Sequence, residues 1–170
     1  MACKTAFGNR LVTNSLRGIV AEAVVASALK QEWLWCSADY AGWDFERSDG
    51  IRLEVKQSAA RQTWQRSDGR PSVCSFDIRA RKGRYEGADW LDEPGRNAHL
   101  YVFAHHYVHD DAADHCDPAQ WAFYVISTIA LPSTHTIGLR ALSKLSQPCT
   151  YSELGETVES VAENLGLIVQ

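Results

Sequence analysis

Segment 43–57 constrains the fold most strongly, because apolar and charged residues alternate within it around a turn. The apolar positions are Trp43, Phe45, Ile51, Leu53 and Val55, and the charged positions are Asp44, Glu46, Arg52, Glu54 and Lys56. Alternation with a period of two predicts two β-strands, each with one apolar face. The intervening Ser48-Asp49-Gly50 predicts a three-residue hairpin loop, with the glycine in the left-handed conformation that other residues resist.

The hairpin is expected to place two carboxylates and a lysine on one face. Its register gives three facing pairs: Arg47 with Ile51, Phe45 with Leu53, and Asp44 with Glu54. Lys56 lies two residues beyond Glu54 and therefore shares its face. Facing carboxylates repel each other unless a positive charge lies between them, and a hard divalent cation such as Mg²⁺ prefers oxygen ligands. Considered alone, the segment also fits an amphipathic hairpin with a solvated polar face.

The composition is that of an ordinary globular chain. The 170 residues, 45% of them hydrophobic, suit a single domain spanning 1–170. No apolar run is long enough to cross a membrane, and the first residues lack the apolar core of a signal peptide, so a cytoplasmic location is expected. The five cysteines are scattered, which favours reduced thiols over a disulfide framework.

Positive charge is concentrated just after the hairpin. Although the net charge is −4, residues 57–87 carry seven basic and three acidic side chains, whereas residues 88–170 carry three basic and eleven acidic ones. A local basic patch is what a phosphate backbone senses, so this segment predicts a nucleic-acid-binding surface. The candidate contacts are Arg61, Arg66, Arg79, Arg81, Lys82 and Arg84. Trp64 in the same segment can either stack on a base or pack the loop onto the core.

Helical and strand patterns surround the hairpin. Apolar residues at helical spacing predict a helix over about 15–30, capped by Thr13 or Asn14 and carrying Glu22. Downstream, the patterns predict strands within 33–40, 73–79, 100–108 and 120–129, loops over 59–72 and 110–118, a loop or short helix over 85–97, and helices over 139–145 and 150–165. The helical C-terminal region, about 132–170, either dimerises the chain or caps the sheet.

The order of these elements and their charged residues resembles the PD-(D/E)xK, or restriction-endonuclease-like, nuclease superfamily. The resemblance covers about residues 15–127 and is carried by Glu22 on the first helix, Asp44, and Glu54-Val55-Lys56 followed by Gln57. Trp43 stands where the family has a proline before the aspartate. Because the motif is short, the resemblance depends on its context, namely a helix, a hairpin and a third strand.

The resemblance implies an α/β fold with a central mixed β-sheet flanked by helices. It implies metal binding by Asp44, Glu54 and the Val55 carbonyl, with Mg²⁺ or Mn²⁺ as the ion. Lys56 would lie near the attacking water, Glu22 would bind or support the metal, and Gln57 would make a secondary polar contact. The implied activity is hydrolysis of phosphodiester bonds, usually in DNA, and the alternative is a non-catalytic nucleic-acid-binding or assembly module on the same fold.

A second group of metal-binding residue types lies in segment 105–116. Its members are His105, His106, His109, Asp110, Asp111, Asp114, His115 and Cys116. Histidine and cysteine are zinc ligands, but His105 and His106 are adjacent on a predicted strand and therefore point to opposite faces. We therefore interpret these residues as strand and loop histidines, with zinc binding as the alternative.

Overall fold

The computed structural model describes residues 2–36, 42–64, 69–86 and 88–166. The helices are α1 (Ala2–Phe7), α2 (Asn14–Ala28), α3 (Leu139–Leu142) and α4 (Tyr151–Gly166). The strands are β1 (Trp33–Trp35), β2 (Phe45–Arg47), β3 (Arg52–Ala59), β4 (Ser75–Asp77), β5 (Arg84–Glu86), β6 (Asp89–Leu91), β7 (Leu100–His106), β8 (Trp121–Ser127) and β9 (Thr136–Gly138). No helix within the described ranges is both long and apolar enough to span a membrane.

The central sheet has five strands in the order β1-β2-β3-β7-β8. Strand β3 pairs parallel with β7, and the other neighbouring pairs are antiparallel, so the sheet is mixed. The expected mixed α/β architecture is therefore confirmed.

Both faces of the sheet are covered, which explains the nearly continuous apolar runs of β7 and β8. Helices α2 and α4 pack on one face, against a core that includes Leu53, Val55 and Val102. The other face carries a second core that includes Tyr101 and Phe103 together with residues of β4, β9 and α3. A strand covered on both sides needs apolar residues at successive positions, because neither set of side chains meets water.

The predicted hairpin and its register are present. Phe45 pairs with Leu53, and the Arg47 amide donates to the Ile51 carbonyl at 2.8 Å. Gly50 has a φ of 87°, the left-handed conformation that the three-residue loop requires.

The two long predicted helices are also present. Helix α2 begins after Thr13, although the Thr13 side chain makes no capping bond. Helix α4 begins with a capping box, because the Glu153 carboxylate accepts hydrogen bonds from the amide and the hydroxyl of Thr150 at 2.8 and 2.7 Å.

Three elements differ from the sequence-based expectation. The strand predicted over 73–79 forms as β4 but pairs with β9, outside the central sheet. Segment 85–97 contains the hairpin β5–β6, not a loop or a short helix, and helix α1 was not predicted. Strands of three residues show too little alternation to be recognised, and β5–β6 is joined instead by a cross-strand aromatic pair whose ring centroids lie 5.1 Å apart, Tyr85 and Trp90.

Candidate active site

Asp44 immediately precedes strand β2, at the point where the longer strand β3 extends beyond its pairing with β2. The ladder between the two strands reaches no further than Phe45 and Leu53, whereas β3 extends to Ala59 alongside β7. One Asp44 carboxylate oxygen, Oδ2, accepts a hydrogen bond of 2.6 Å from the Val55 amide, and the Asp44 amide donates to the Leu53 carbonyl at 3.0 Å. The Asp44 carboxylate therefore accepts the hydrogen bond that a main-chain carbonyl would accept if the β2–β3 ladder continued to Val55. Side-chain bonding, not a ladder pair, fixes Asp44 beside Glu54.

Glu54 and Lys56 share one face of β3, as alternation predicts. Glu54 pairs in register with Tyr101 of β7, which belongs to the core on that face. The Lys56 ammonium donates to a Glu54 carboxylate oxygen, and the two side chains are 22% and 17% exposed. The pair is thus shielded from bulk water yet open to a small solute.

Glu22 reaches the same group of charges from helix α2. Its carboxylate accepts a hydrogen bond of 3.1 Å from the Trp35 indole. Burial raises the pKa of Glu22, and the negative charge of Glu54 raises it further, while the Trp35 bond and Lys56 act in the opposite direction. Glu22, Glu54 and Lys56 are therefore within electrostatic range of one another.

The pKa of Asp44 is raised because this carboxyl is buried and lies near other acidic side chains. Burial raises this pKa from 3.8 to about 7, and the neighbouring charges of Glu54 and Glu22 contribute to the rise. The Val55 hydrogen bond and Lys56 lower it, but not by enough to offset burial. A cation bound beside Asp44 would favour its ionised form and so oppose this rise in pKa.

The donor set fits a hard divalent cation. In a strand, the amide and the carbonyl of one residue point to the same edge, so the Val55 carbonyl faces the edge at which Asp44 lies. Asp44, Glu54 and this carbonyl are all oxygen donors, the ligand type that Mg²⁺ and Mn²⁺ prefer. Within the described residues, no three or more His, Cys, Asp or Glu side chains are arranged as a metal-binding group. The predicted set has two carboxylates and one main-chain oxygen.

Gln57 is not brought to this group. It faces the opposite side of β3, where its carbonyl oxygen accepts a 2.7 Å hydrogen bond from Arg17 and its amide donates to Asn14 at 3.1 Å. Arg17 is only 1% exposed, and burial lowers its pKa to about 10. Gln57 thus bonds to the buried guanidinium of Arg17, on the face of the sheet that helix α2 covers.

One of the six predicted nucleic-acid contacts, Arg66, lies outside the described residues, and the other five divide into two groups. Arg61 forms an ion pair with Asp111 at 3.0 Å, and Arg84 is 10% exposed and pairs with Glu93 at 3.2 Å. Arg79, Arg81 and Lys82 are exposed, and both arginines lie about 4 Å from the Asp77 carboxylate. The exposed Trp64 is not packed into the core.

Two residues near the site were missed by the sequence analysis, Asp77 and Tyr101. A hydrogen bond from the Arg79 amide lowers the pKa of Asp77, and the positive charges of Arg81, Arg79 and Lys56 lower it further. Burial raises the pKa of Tyr101 to about 12, with Glu54 as the next cause. The parallel pairing of β3 with β7 brings Tyr101 to Glu54, and neither strand's own sequence carries a signal for that pairing.

His106, the last residue of β7, and His115 are buried beside Trp121. The His115 ring accepts a hydrogen bond from the Val12 amide through Nδ1 at 3.1 Å and lies 3.1 Å from the Arg61 carbonyl through Nε2. Burial lowers the pKa of His115 to about 4. His106 stacks edge-on against it, with ring centroids 4.9 Å apart. Main-chain groups thus bond both ring nitrogens of His115 and Nε2 of His106, whereas the buried Nδ1 of His106 has no hydrogen-bond partner within the described residues.

No protein-family model matches the chain, and no curated protein shows significant sequence similarity to it.

Proposed function

We propose that the protein is a divalent-metal-dependent nuclease that hydrolyses phosphodiester bonds in DNA. The observation that carries the proposal is that Asp44 is bonded to the Val55 amide beside Glu54, with its pKa raised to about 7 by burial and by the nearby charges of Glu54 and Glu22. A partly buried carboxyl with a strongly raised pKa is more typical of a functional site than of a solvated hairpin face.

Asp44, Glu54 and the Val55 carbonyl would hold the metal, and Glu22 would support it from helix α2. A bound Mg²⁺ or Mn²⁺ would supply Lewis acidity toward a phosphate oxygen and a more acidic bound water. Lys56 lies on the same face as Glu54, where its ammonium offsets negative charge that grows on the phosphate. Glu54 holds this ammonium in place through their hydrogen bond.

The exposed Arg79, Arg81 and Lys82 support nucleic acid as the substrate class. They follow strand β4, whose last residue, Asp77, lies within electrostatic range of Lys56. A phosphate backbone that contacts these side chains would pass close to the carboxylates. Such contacts give affinity without sequence preference.

The test is a cleavage assay with single-stranded, duplex and branched DNA, each with Mg²⁺, Mn²⁺ or excess EDTA. We expect cleavage with either metal and none with EDTA. Cleavage that persists in EDTA would exclude the proposal. A Glu54→Gln variant should bind DNA but not cut it, because it keeps the shape of the side chain and loses the anionic ligand. Its matched control, Glu163→Gln, changes an exposed glutamate on α4 and should cut normally.

A second candidate function is a nucleic-acid-binding module without catalysis. The hydrogen bond between Lys56 and Glu54 favours it, because the lysine then neutralises one of the carboxylates that would bind the metal. The same assay separates the two functions: DNA binding with no cleavage under any metal condition would favour the module.

A further inference from the structure

A second electropositive feature lies away from the carboxylates. A cavity of about 380 Å³ opens between the loop after β4 and the loop before β9. We refer to it as the Arg96 cavity, and its lining includes Arg79, Arg96, Thr128, Ser133 and His135.

The hydrogen-bond partners of Arg96 do not neutralise its positive charge. Its guanidinium donates to main-chain carbonyls of both loops, at 2.7 Å to Ile78 and 3.4 Å to Leu131. Carbonyl oxygens satisfy its hydrogen bonds but carry no net charge, so the positive charge is not neutralised. Arg96 therefore both holds the loops together and makes the cavity electropositive.

Arg79 adds a second positive charge at the opening. Its side chain is 55% exposed, and the Asp77 carboxylate that faces it at 4.0 Å also faces Arg81 at 3.9 Å. One carboxylate shared by two guanidinium groups leaves an excess positive charge. The chain has no acidic residue between 118 and 152, so the β9 side of the cavity contributes none.

The cavity lies on the same face of the sheet as Glu54. Ile78 and Leu131, which flank the cavity, belong to the same core as Tyr101, the register partner of Glu54. Thr128 follows Ser127, which pairs with Leu100, which in turn pairs with Leu53. Two strand spacings, about 10 Å, separate Ser127 from Leu53, and Thr128 and Glu54 each follow one of these two residues.

We propose that the Arg96 cavity binds one phosphate group of the nucleic-acid strand whose cleavage we assign to Asp44, Glu54 and Lys56. Nucleic acid as the source of the phosphate rests on the proposed function. The Arg79 guanidinium can donate to phosphate oxygens, the Arg96 guanidinium, whose donors are bonded to main-chain carbonyls, adds positive charge, and the Ser133 hydroxyl and the His135 ring are further hydrogen-bonding groups. The cavity would thereby fix the strand relative to the carboxylates.

The test combines an Arg79→Ala variant with DNA strands that carry one neutral methylphosphonate linkage at successive positions. Binding is measured by fluorescence anisotropy in EDTA, so that no strand is cut. In the parent protein, we expect one linkage position to weaken binding about tenfold more than its neighbours. Arg79→Ala should weaken binding of the unmodified strand by a similar factor and should show no extra loss at that position. His135→Ala, which alters another exposed side chain of the cavity, should reduce the same positional effect.

Arg10→Ala is the matched control. It removes one exposed arginine that lies 3.9 Å from Asp114, near the carboxyl end of β7 and away from the cavity. It should keep the positional effect. Unchanged melting of all variants by circular dichroism would show that they fold.

The outcomes separate this proposal from the proposed function. If DNA is cleaved but no linkage position depends on Arg79, the cavity is not a phosphate subsite, and the nuclease proposal stands. Titration with inorganic phosphate tests whether the cavity binds a small free phosphate instead of a nucleic-acid phosphate. If Arg79→Ala abolishes phosphate binding but no DNA binds, the cavity binds a small phosphate and both the nucleic-acid source and the nuclease proposal are wrong.

Discussion

The carboxylate of Asp44 accepts a hydrogen bond of 2.6 Å from the main-chain amide of Val55. This bond joins the start of β2 to the middle of β3, and it fixes one carboxylate of the candidate site against the strand that carries the other. The amide is held in place by the β3–β7 ladder, so the position of Asp44 depends on the centre of the sheet. A rigid strand, not a loop, therefore orients the candidate metal ligand.

Replacing Lys56 should separate catalysis from folding. Loss of one preorganised charge at a reacting phosphate typically costs on the order of a hundredfold to a thousandfold in rate. Lys56→Ala should therefore lose cleavage but keep its fold and metal binding, whereas Asp44→Asn should lose metal affinity as well. Single-turnover cleavage and calorimetric Mn²⁺ titration measure the two effects. Lys30→Ala, which removes an exposed lysine just beyond α2, is the control. Full activity in Lys56→Ala would leave this residue only a structural role.

The metal-free protein should lose stability as pH rises, through Asp44. The pKa of this carboxyl is about 7 in the folded state against an ordinary 3.8. Because the folded state holds the proton more tightly, the contribution of Asp44 to stability is complete below about pH 4 and is lost as the pH rises through about 7. Urea unfolding in EDTA, compared between the parent and Asp44→Asn, isolates this contribution. Equal pH profiles would show that Asp44 ionises normally.

His115 should contribute a pH dependence of the opposite sign. Its pKa falls from an ordinary 6.5 to about 4 in the folded protein. The unfolded chain therefore binds a proton first, and stability that is complete above about pH 6.5 is lost as pH falls through about 4. His115→Asn, which keeps an acceptor for the Val12 amide, should flatten the acid limb of the unfolding profile. An unchanged acid limb would show that His115 is already charged in the folded state.

Glu159 should tie helix α4 to the hairpin. Its carboxylate accepts hydrogen bonds from the Arg47 guanidinium at 2.9 Å and from the Trp33 indole at 2.8 Å. Both charged side chains are only 13% exposed, so Glu159→Ala leaves two poorly hydrated donors and should lower the free energy of unfolding by about 1–3 kcal/mol. Glu163→Ala, on the exposed face of the same helix, should have little effect. Equal urea midpoints for the two variants would mean that α4 is not held through Glu159.

Gln57 should matter for stability and not for cleavage. Gln57→Leu removes the acceptor of the buried Arg17 Nε and should lower the free energy of unfolding by about 1–3 kcal/mol. The cleavage rate per folded molecule should be unchanged, because Gln57 and Lys56 lie on opposite faces of β3. Gln57→Glu keeps the acceptor and should restore stability. A large loss of cleavage in fully folded Gln57→Leu would instead support the catalytic contact that the family resemblance implies.

Local patterns in the sequence were sufficient for the hairpin, for helices α2 and α4, and for the buried strands β7 and β8. Each depends on neighbours a few residues apart: the alternation around Gly50, the helical spacing of the apolar residues in α2, and the capping box of Thr150 and Glu153. The shared face of Glu54 and Lys56 follows from the same alternation. The opposite face of Gln57 follows from it too, although the family resemblance grouped that residue with the site.

Tertiary structure alone decided which distant segments meet. The parallel pairing of β3 with β7 brings Tyr101 to Glu54, the pairing of β4 with β9 brings together the loops that line the Arg96 cavity, and the packing of α2 on β3 brings Arg17 to Gln57. The sequence of each segment determines how it divides its side chains between water and core, because that division depends on local periodicity. Which strands become neighbours depends on the free energy of loop closure and on packing summed over the whole chain, and no short segment carries that information.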